Sequence, residues 1–126
     1  MDMNTKNEIK SAKFDKENLL LNAEIRKNLQ IDINSIEYIS AENVVSRIFL
    51  KDKTVLRIRK SLNEWEKILP LNIFVRTNRN VIVNLKHVKL IEKSIGQTMK
   101  LIMQYSNKTL VMSRSYTKKL KKILIV

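Results

Sequence analysis

The apolar segments of this chain are short and alternate with polar residues, and that pattern limits the fold more than any other feature. In Thr54-Val55-Leu56-Arg57-Ile58-Arg59, Leu56 and Ile58 share one face while Arg57 and Arg59 share the other. A period of two is that of a half-buried β-strand. Leu29-Gln30-Ile31-Asp32-Ile33 alternates in the same way. No apolar run approaches the ~18 residues that a membrane-spanning helix needs. With one glycine, Gly96, and one proline, Pro70, the sequence offers no flexible linker at which to divide a domain.

Read along the chain, the same signals predict strands over residues 19–26 and 29–33 on either side of Lys27-Asn28, and another over 36–40. A hairpin follows, with strands 44–50 and 54–59 joined at Lys51-Asp52-Lys53. Further strands are expected over 81–83 and 88–92, and a last hairpin over 99–105 and 109–112 around Ser106-Asn107-Lys108. One segment breaks the pattern. Ser61 followed by Glu64 is a capping box, Leu62, Trp65, Ile68 and Leu69 fall on one helical face, and Pro70 ends the element. Ser115 is expected to cap a short terminal helix over 116–123, docked through Leu120 and Ile123. Residues 1–18 are mixed polar and read as a flexible tail, leaving 19–126 as the folded domain. The expected fold is mainly β, with antiparallel sheets and one or two short helices.

Composition then narrows the function. The 126 residues hold 44% hydrophobic side chains, enough for a core, so a disordered polycation is excluded. Cysteine is absent, which removes disulfides, thiolate zinc sites and thiol nucleophiles. The single histidine, His87, has no carboxylate near it in sequence, and the acids are dispersed without a pair spaced for one element. General acid–base catalysis and metal binding both need such groupings, so neither an enzyme nor a cofactor is expected.

Charge points to the partner. Lys plus Arg number 25 against 12 Asp plus Glu, a net charge of +13. The excess is uneven: residues 67–126 carry 13 basic residues and one acid, Glu92. Such asymmetry suggests an anionic partner, nucleic acid first. A membrane surface is a poorer fit, because no amphipathic helix presents an aromatic face. A small-molecule substrate is not expected.

The most informative segment is Phe74-Val75-Arg76-Thr77-Asn78-Arg79-Asn80-Val81-Ile82-Val83-Asn84. Arginine grips guanine or phosphate with a bidentate fork, and asparagine reads adenine by similar geometry. Structural roles compete with these readings: Asn80 and Asn84 also suit turn and strand-end hydrogen bonds, and Arg76, flanked by apolar residues, suits an internal ion pair.

This segment resembles the central signature of the LytTR DNA-binding domain family, F-x-R-x-H-R-S-x-x-V-N. Ile36-Glu37-Tyr38-Ile39 resembles the family's entry strand, Ser61-Leu62 with Trp65 and Leu69 its helix, and Ser113-Arg114 its close, in the right order over residues 19–123. The resemblance implies elongated antiparallel sheets whose edge loops enter successive major grooves of duplex DNA. On that basis the first reading loop is 41–47, with Ser46 or Arg47 at the contact. The second is Asn78-Arg79-Asn80, led by Arg79 and braced by Arg76. The third is Arg114, followed by Ser115 and Lys118 on phosphates. Two positions depart from the signature, Asn78 for its His and Asn80 for its Ser, which bears on the DNA sequence read rather than on the mode of binding.

The family also implies a cytoplasmic bacterial transcription regulator of the two-component, response-regulator type. Its expected partner is double-stranded DNA at paired direct repeats, bound as a homodimer on the DNA. The usual receiver of ~120 residues has no room in 126, so the expectation is either a fragment or a stand-alone regulator. The competing reading is a non-catalytic basic module for RNA or an acidic protein. A third, a nuclease, lacks clustered carboxylates.

Overall fold

The computed structural model describes residues 31–124, with side chains through 122. Among these residues eight strands and two α-helices form. The strands are β1 (Ile36–Glu42), β2 (Val45–Leu50), β3 (Val55–Ile58), β4 (Phe74–Asn78), β5 (Val81–Asn84), β6 (Val88–Lys93), β7 (Met99–Met103) and β8 (Thr109–Met112). The helices are α1 (Leu62–Ile68), between β3 and β4, and α2 (Arg114–Leu124), after β8. All strand pairs are antiparallel, in a five-stranded sheet of order β3-β2-β1-β5-β4 and a three-stranded sheet of order β6-β7-β8. The mainly β, antiparallel expectation describes this architecture.

Alternation along the strands builds two cores on opposite faces of the larger sheet. Ile39, Ile48, Ile58 and Ile82 face α1, where Leu62, Trp65 and Leu69 close the first core. Tyr38, Val75 and Val83 face the other way and meet Leu101, Met103 and Met112 of the smaller sheet, with Leu120 of α2. Neighbours such as Ile82 and Val83 therefore serve different cores. The hairpin reading holds: Ile58 is buried, Leu56 half-buried, and Arg57 and Arg59 exposed.

α1 starts where its capping box says it should. The Ser61 hydroxyl accepts from the Glu64 N–H at 3.1 Å, and the Glu64 carboxylate accepts from the Ser61 N–H at 2.8 Å. Those hydrogen bonds hold the Glu64 carboxyl below its ordinary range, aided by Lys60 and Lys67.

Three expectations are corrected and one strand is added. The strand over 29–33 does not form in its described part, because the Asp32 carboxylate accepts from the Asn34 N–H at 2.9 Å and caps a 3-10 turn over Ile33–Ser35. The strand expected over 81–83 forms as β5, and the added strand is β4, which precedes it across the Arg79-Asn80 turn. β7 stops at Met103, leaving Tyr105 in the turn. α2 begins at Arg114, before the expected Ser115 cap; the Thr117 N–H reaches the Ser113 carbonyl at 2.8 Å, and the Ser113 hydroxyl lies 3.5 Å from the Tyr116 nitrogen. The tail over 1–18, the strand over 19–26 and the docking of Ile123 lie outside what is described.

Two buried polar side chains fasten β1. Register shifts between Ile36 and Tyr38, and there Asn84 Nδ2 donates to the Ile36 carbonyl at 2.9 Å. Glu37, 1% exposed, accepts through Oε2 from the backbone of Tyr105 at 2.6 Å and Ser106 at 3.2 Å, tying the larger sheet to the β7–β8 turn. His87 sits nearby in a 3-10 turn and donates from Nε2 to the Asn34 carbonyl at 2.5 Å.

Candidate nucleic-acid interface

The expected first loop, 41–47, is mostly strand. Glu42 pairs with Val45 across a two-residue turn, and Asn43 takes φ 59°, a left-handed conformation that asparagine tolerates better than most residues. Only Asn43 and Val44 project beyond the sheet, both exposed. Ser46 is turned inward, 0% exposed, and its hydroxyl donates to the Lys60 carbonyl, so it fixes the approach to α1 instead of facing a ligand. Arg47 is half-buried on the opposite face of β2. Its guanidinium lies 5.2 Å from the Phe49 ring, and Nε is 4.0 Å from Glu42 Oε1. The same carboxylate accepts from Arg57 Nη2 at 2.7 Å.

The second loop is held from below. Arg76 Nη1 donates to Glu66 Oε1 at 2.9 Å and to Asn63 Oδ1 at 3.2 Å, while Nη2 donates to the Arg79 carbonyl at 2.8 Å. The fork thus anchors the turn to α1, and the bracing and ion-pair readings of Arg76 describe the same side chain. Asn78 is also structural: Oδ1 accepts from the Asn80 N–H at 2.8 Å, and Nδ2 donates to the Val111 carbonyl of β8 at 3.2 Å. Asn84 makes the strand-end bonds expected of it, whereas the turn bond expected of Asn80 is made by Asn78. Arg79 and Asn80 are exposed, and among the described residues neither side chain has a hydrogen bond or ion pair.

Three backbone-directed bonds bring the loops to one edge. The Ala41 N–H donates to the Asn80 carbonyl at 2.9 Å, joining the first turn to the second. The Ser113 N–H donates to the Thr77 carbonyl at 2.8 Å, and the Asn78 bond to Val111 lies beside it. These place the start of α2 next to the second turn. Arg114, Ser115 and Lys118 are all exposed there, and Arg114 and Lys118, four residues apart, share one side of the helix.

The cations thus divide into two groups. Arg47, Arg57 and Arg76 are engaged by Glu42 and Glu66, whereas Arg79, Arg114 and Lys118 have no carboxylate partner among the described residues. Unpaired guanidinium groups on a braced turn are suited to an anionic or base-edge acceptor. Reasoning from sequence missed Asn63 and Glu66, the braces of Arg76, because nothing local links them to a residue 10–13 positions away. It also missed Asn43 and Val44 as the true tip of the first loop, for which the left-handed preference of asparagine was the available signal. No group of three or more potential metal ligands occurs among the described residues.

Comparison with known proteins identifies the class to which this fold and its basic edge belong. Residues 26–125 match the LytTr DNA-binding domain, and the chain belongs to that family. It is 33% identical over 89 residues to the sensory transduction protein LytT of Enterococcus faecalis, covering 71% of this chain and 36% of that one. It is 42% identical over 59 residues to the sensory transduction protein LytT of Bacillus subtilis, covering 47% of this chain and 24% of that one. A solved LytTr DNA-binding domain from Bacillus cereus superposes with a TM-score of 0.70 at 26% identity, covering 76% of this chain and 86% of its own. The chain therefore spans about a third or less of the curated relatives named here.

Proposed function

We propose that this chain is the DNA-reading part of a transcription regulator and recognises specific duplex sequences through its loop edge. The observation that carries this reading is the pair of exposed, unpaired arginines, Arg79 and Arg114, on segments cross-tied by backbone hydrogen bonds. Arg79 reads a guanine edge in the major groove from a turn that Arg76 holds rigid, with Asn80 beside it as an adenine reader. Arg114 reads a second position, and Ser115 and Lys118 contact phosphates. Asn43 and Val44 approach the duplex from the first turn, with Arg47 set behind them against Glu42 and Phe49; Ser46 and Asn78 support the loops from within. The basic C-terminal half supplies sequence-independent attraction to the phosphates.

The sites are paired direct repeats, with one copy of the domain on each and contact between copies on the DNA. The protein works in the cytoplasm, in a response-regulator pathway. No described helix is long and apolar enough to cross a membrane. The alternative, RNA binding, would favour a platform of exposed aromatic rings. Instead, Tyr38 is buried and stacks on Phe49 at 4.2 Å, and no aromatic stands on the Arg79 turn. The test is selection from a randomised duplex pool at near-physiological salt. A short enriched motif, repeated about one helical turn apart, is the expected result. Enrichment of nothing, or tighter binding to single strands than to duplex, refutes the reading.

A further inference from the structure

A fourth segment reaches the loop edge. Lys93, the last residue of β6, pairs with Met99, and Met99 pairs with Met112, so the β6–β7 connection ends in line with Ser113 and Arg114. The connection is tight: Gly96 and Gln97 take φ values of 69° and 66°, both left-handed. Between it and α2 lies a groove lined by Lys93, Ser94, Gln97, Thr98, Thr117 and Lys121, with Met99 also in its wall.

The groove is rich in donors that lack acceptors. Among the described residues, Lys93 and Lys121 have no carboxylate partner, and Gln97 makes no side-chain hydrogen bond. Ser94 occupies the capping position of the 3-10 turn Ile95–Gln97, yet its hydroxyl caps nothing. The Thr117 hydroxyl, by contrast, lies 3.5 Å from the Met112 carbonyl, and the Thr98 hydroxyl donates to Ile95 at 2.8 Å. Glu92, the only acid beyond residue 67, stands opposite Lys100 in the ladder, one strand position from Lys93, so alternation directs it to the other face.

Two unpaired ammonium groups, a hydroxyl and an amide around one open groove make a seat for a tetrahedral oxyanion. Its place beside Arg114 selects the source. We infer that this groove holds one backbone phosphate of the duplex, flanking the bases read by Arg79 and Arg114. The inference rests on the DNA-reading function proposed above. It extends the contacted duplex past the read bases and gives the β6–β7 connection a role in fixing register.

The test compares Lys93→Gln and Lys121→Gln, singly and together, with wild type on duplex DNA. Lys53→Gln, in the β2–β3 turn at the opposite end of the larger sheet, serves as the control. Neutralising one phosphate contributes a salt exponent of about 0.9, which at 0.15 M amounts to about a fivefold affinity change. The double variant is expected to lose about that much affinity, to lower the salt slope by about one, and to keep the selected motif. The control keeps the wild-type slope. A single methylphosphonate at one flanking position should weaken wild type about equally and leave the double variant unaffected. An unchanged slope, or a Lys53→Gln loss equal to that of the double variant, overturns the seat. The slope reads on any duplex, whereas failure of wild type to enrich a motif refutes sequence reading alone. Absence of duplex binding overturns both.

Discussion

Arg76→Lys separates positioning from contact. The substitution keeps the charge, so any term that counts cations near the DNA is unchanged. It replaces a planar fork, bonded at once to Glu66, Asn63 and the Arg79 carbonyl, with a single ammonium on a flexible stem. An ammonium at the Glu66 carboxylate gives up the other two bonds, each worth about 1 kcal/mol net. The expected loss of stability is therefore about 2 kcal/mol, which for a domain of this size lowers Tm by roughly 8–16 °C. Urea unfolding measures the first figure and a thermal scan the second. Because the turn also loses its tether, discrimination at the base that Arg79 is proposed to read should fall by up to the ~1–3 kcal/mol that a bidentate contact supplies. The readout is competition among duplexes differing at that base, repeated over a salt series. Lower specificity with an unchanged salt slope is the expected pattern. Stability within 0.5 kcal/mol of wild type together with intact discrimination would refute the brace, and a flatter slope would mean that Arg76 itself touches phosphate.

Three other outcomes follow from the same geometry. Arg79→Ala should leave stability almost unchanged, since the side chain is exposed, yet cost ~1–3 kcal/mol on the selected site and relax preference at one position; single-position competition measures it. Trp65→Ala removes a side chain that is 0% exposed in the first core, at a cost of about 3–5 kcal/mol in chemical denaturation. Glu64 has a lowered carboxyl pKa because it accepts from the Ser61 backbone, so it favours the fold fully above the ordinary carboxylate pKa and loses that contribution as pH falls through the lowered value. Glu64→Gln should flatten that part of the acid side of the stability–pH curve, and an unaltered curve would rule out a role for the carboxylate there.

How much was legible depends on the range over which each feature is decided. The α1 boundaries were readable because the Ser61–Glu64 box and Pro70 act within a turn or two of the chain. Leu56 and Ile58 were readable as inward because a strand period needs only neighbours. Asp32 misled the strand reading over 29–33: its side chain offers the backbone a local hydrogen bond that alternation does not register. Ser46 misled the site reading for a different reason. Whether its hydroxyl meets solvent or the Lys60 carbonyl depends on a partner 14 residues away.

By itself, then, the sequence determined a β-rich chain with one capped helix between hairpins, a strongly basic C-terminal half, and the arginine-bearing segment from which family membership could be read. Period, capping and charge are local or additive, so they need no fold to be counted. Only the tertiary structure decided which cations are already engaged, with Arg76 held by Glu66 and Asn63 while Arg79 stands open. It alone brought Ser113 against Thr77 and Ala41 against Asn80, gathering segments far apart in sequence onto one edge. An ion pair or a buried hydroxyl is fixed by whatever packing brings within about 3 Å of it, and that distance is a property of the whole fold.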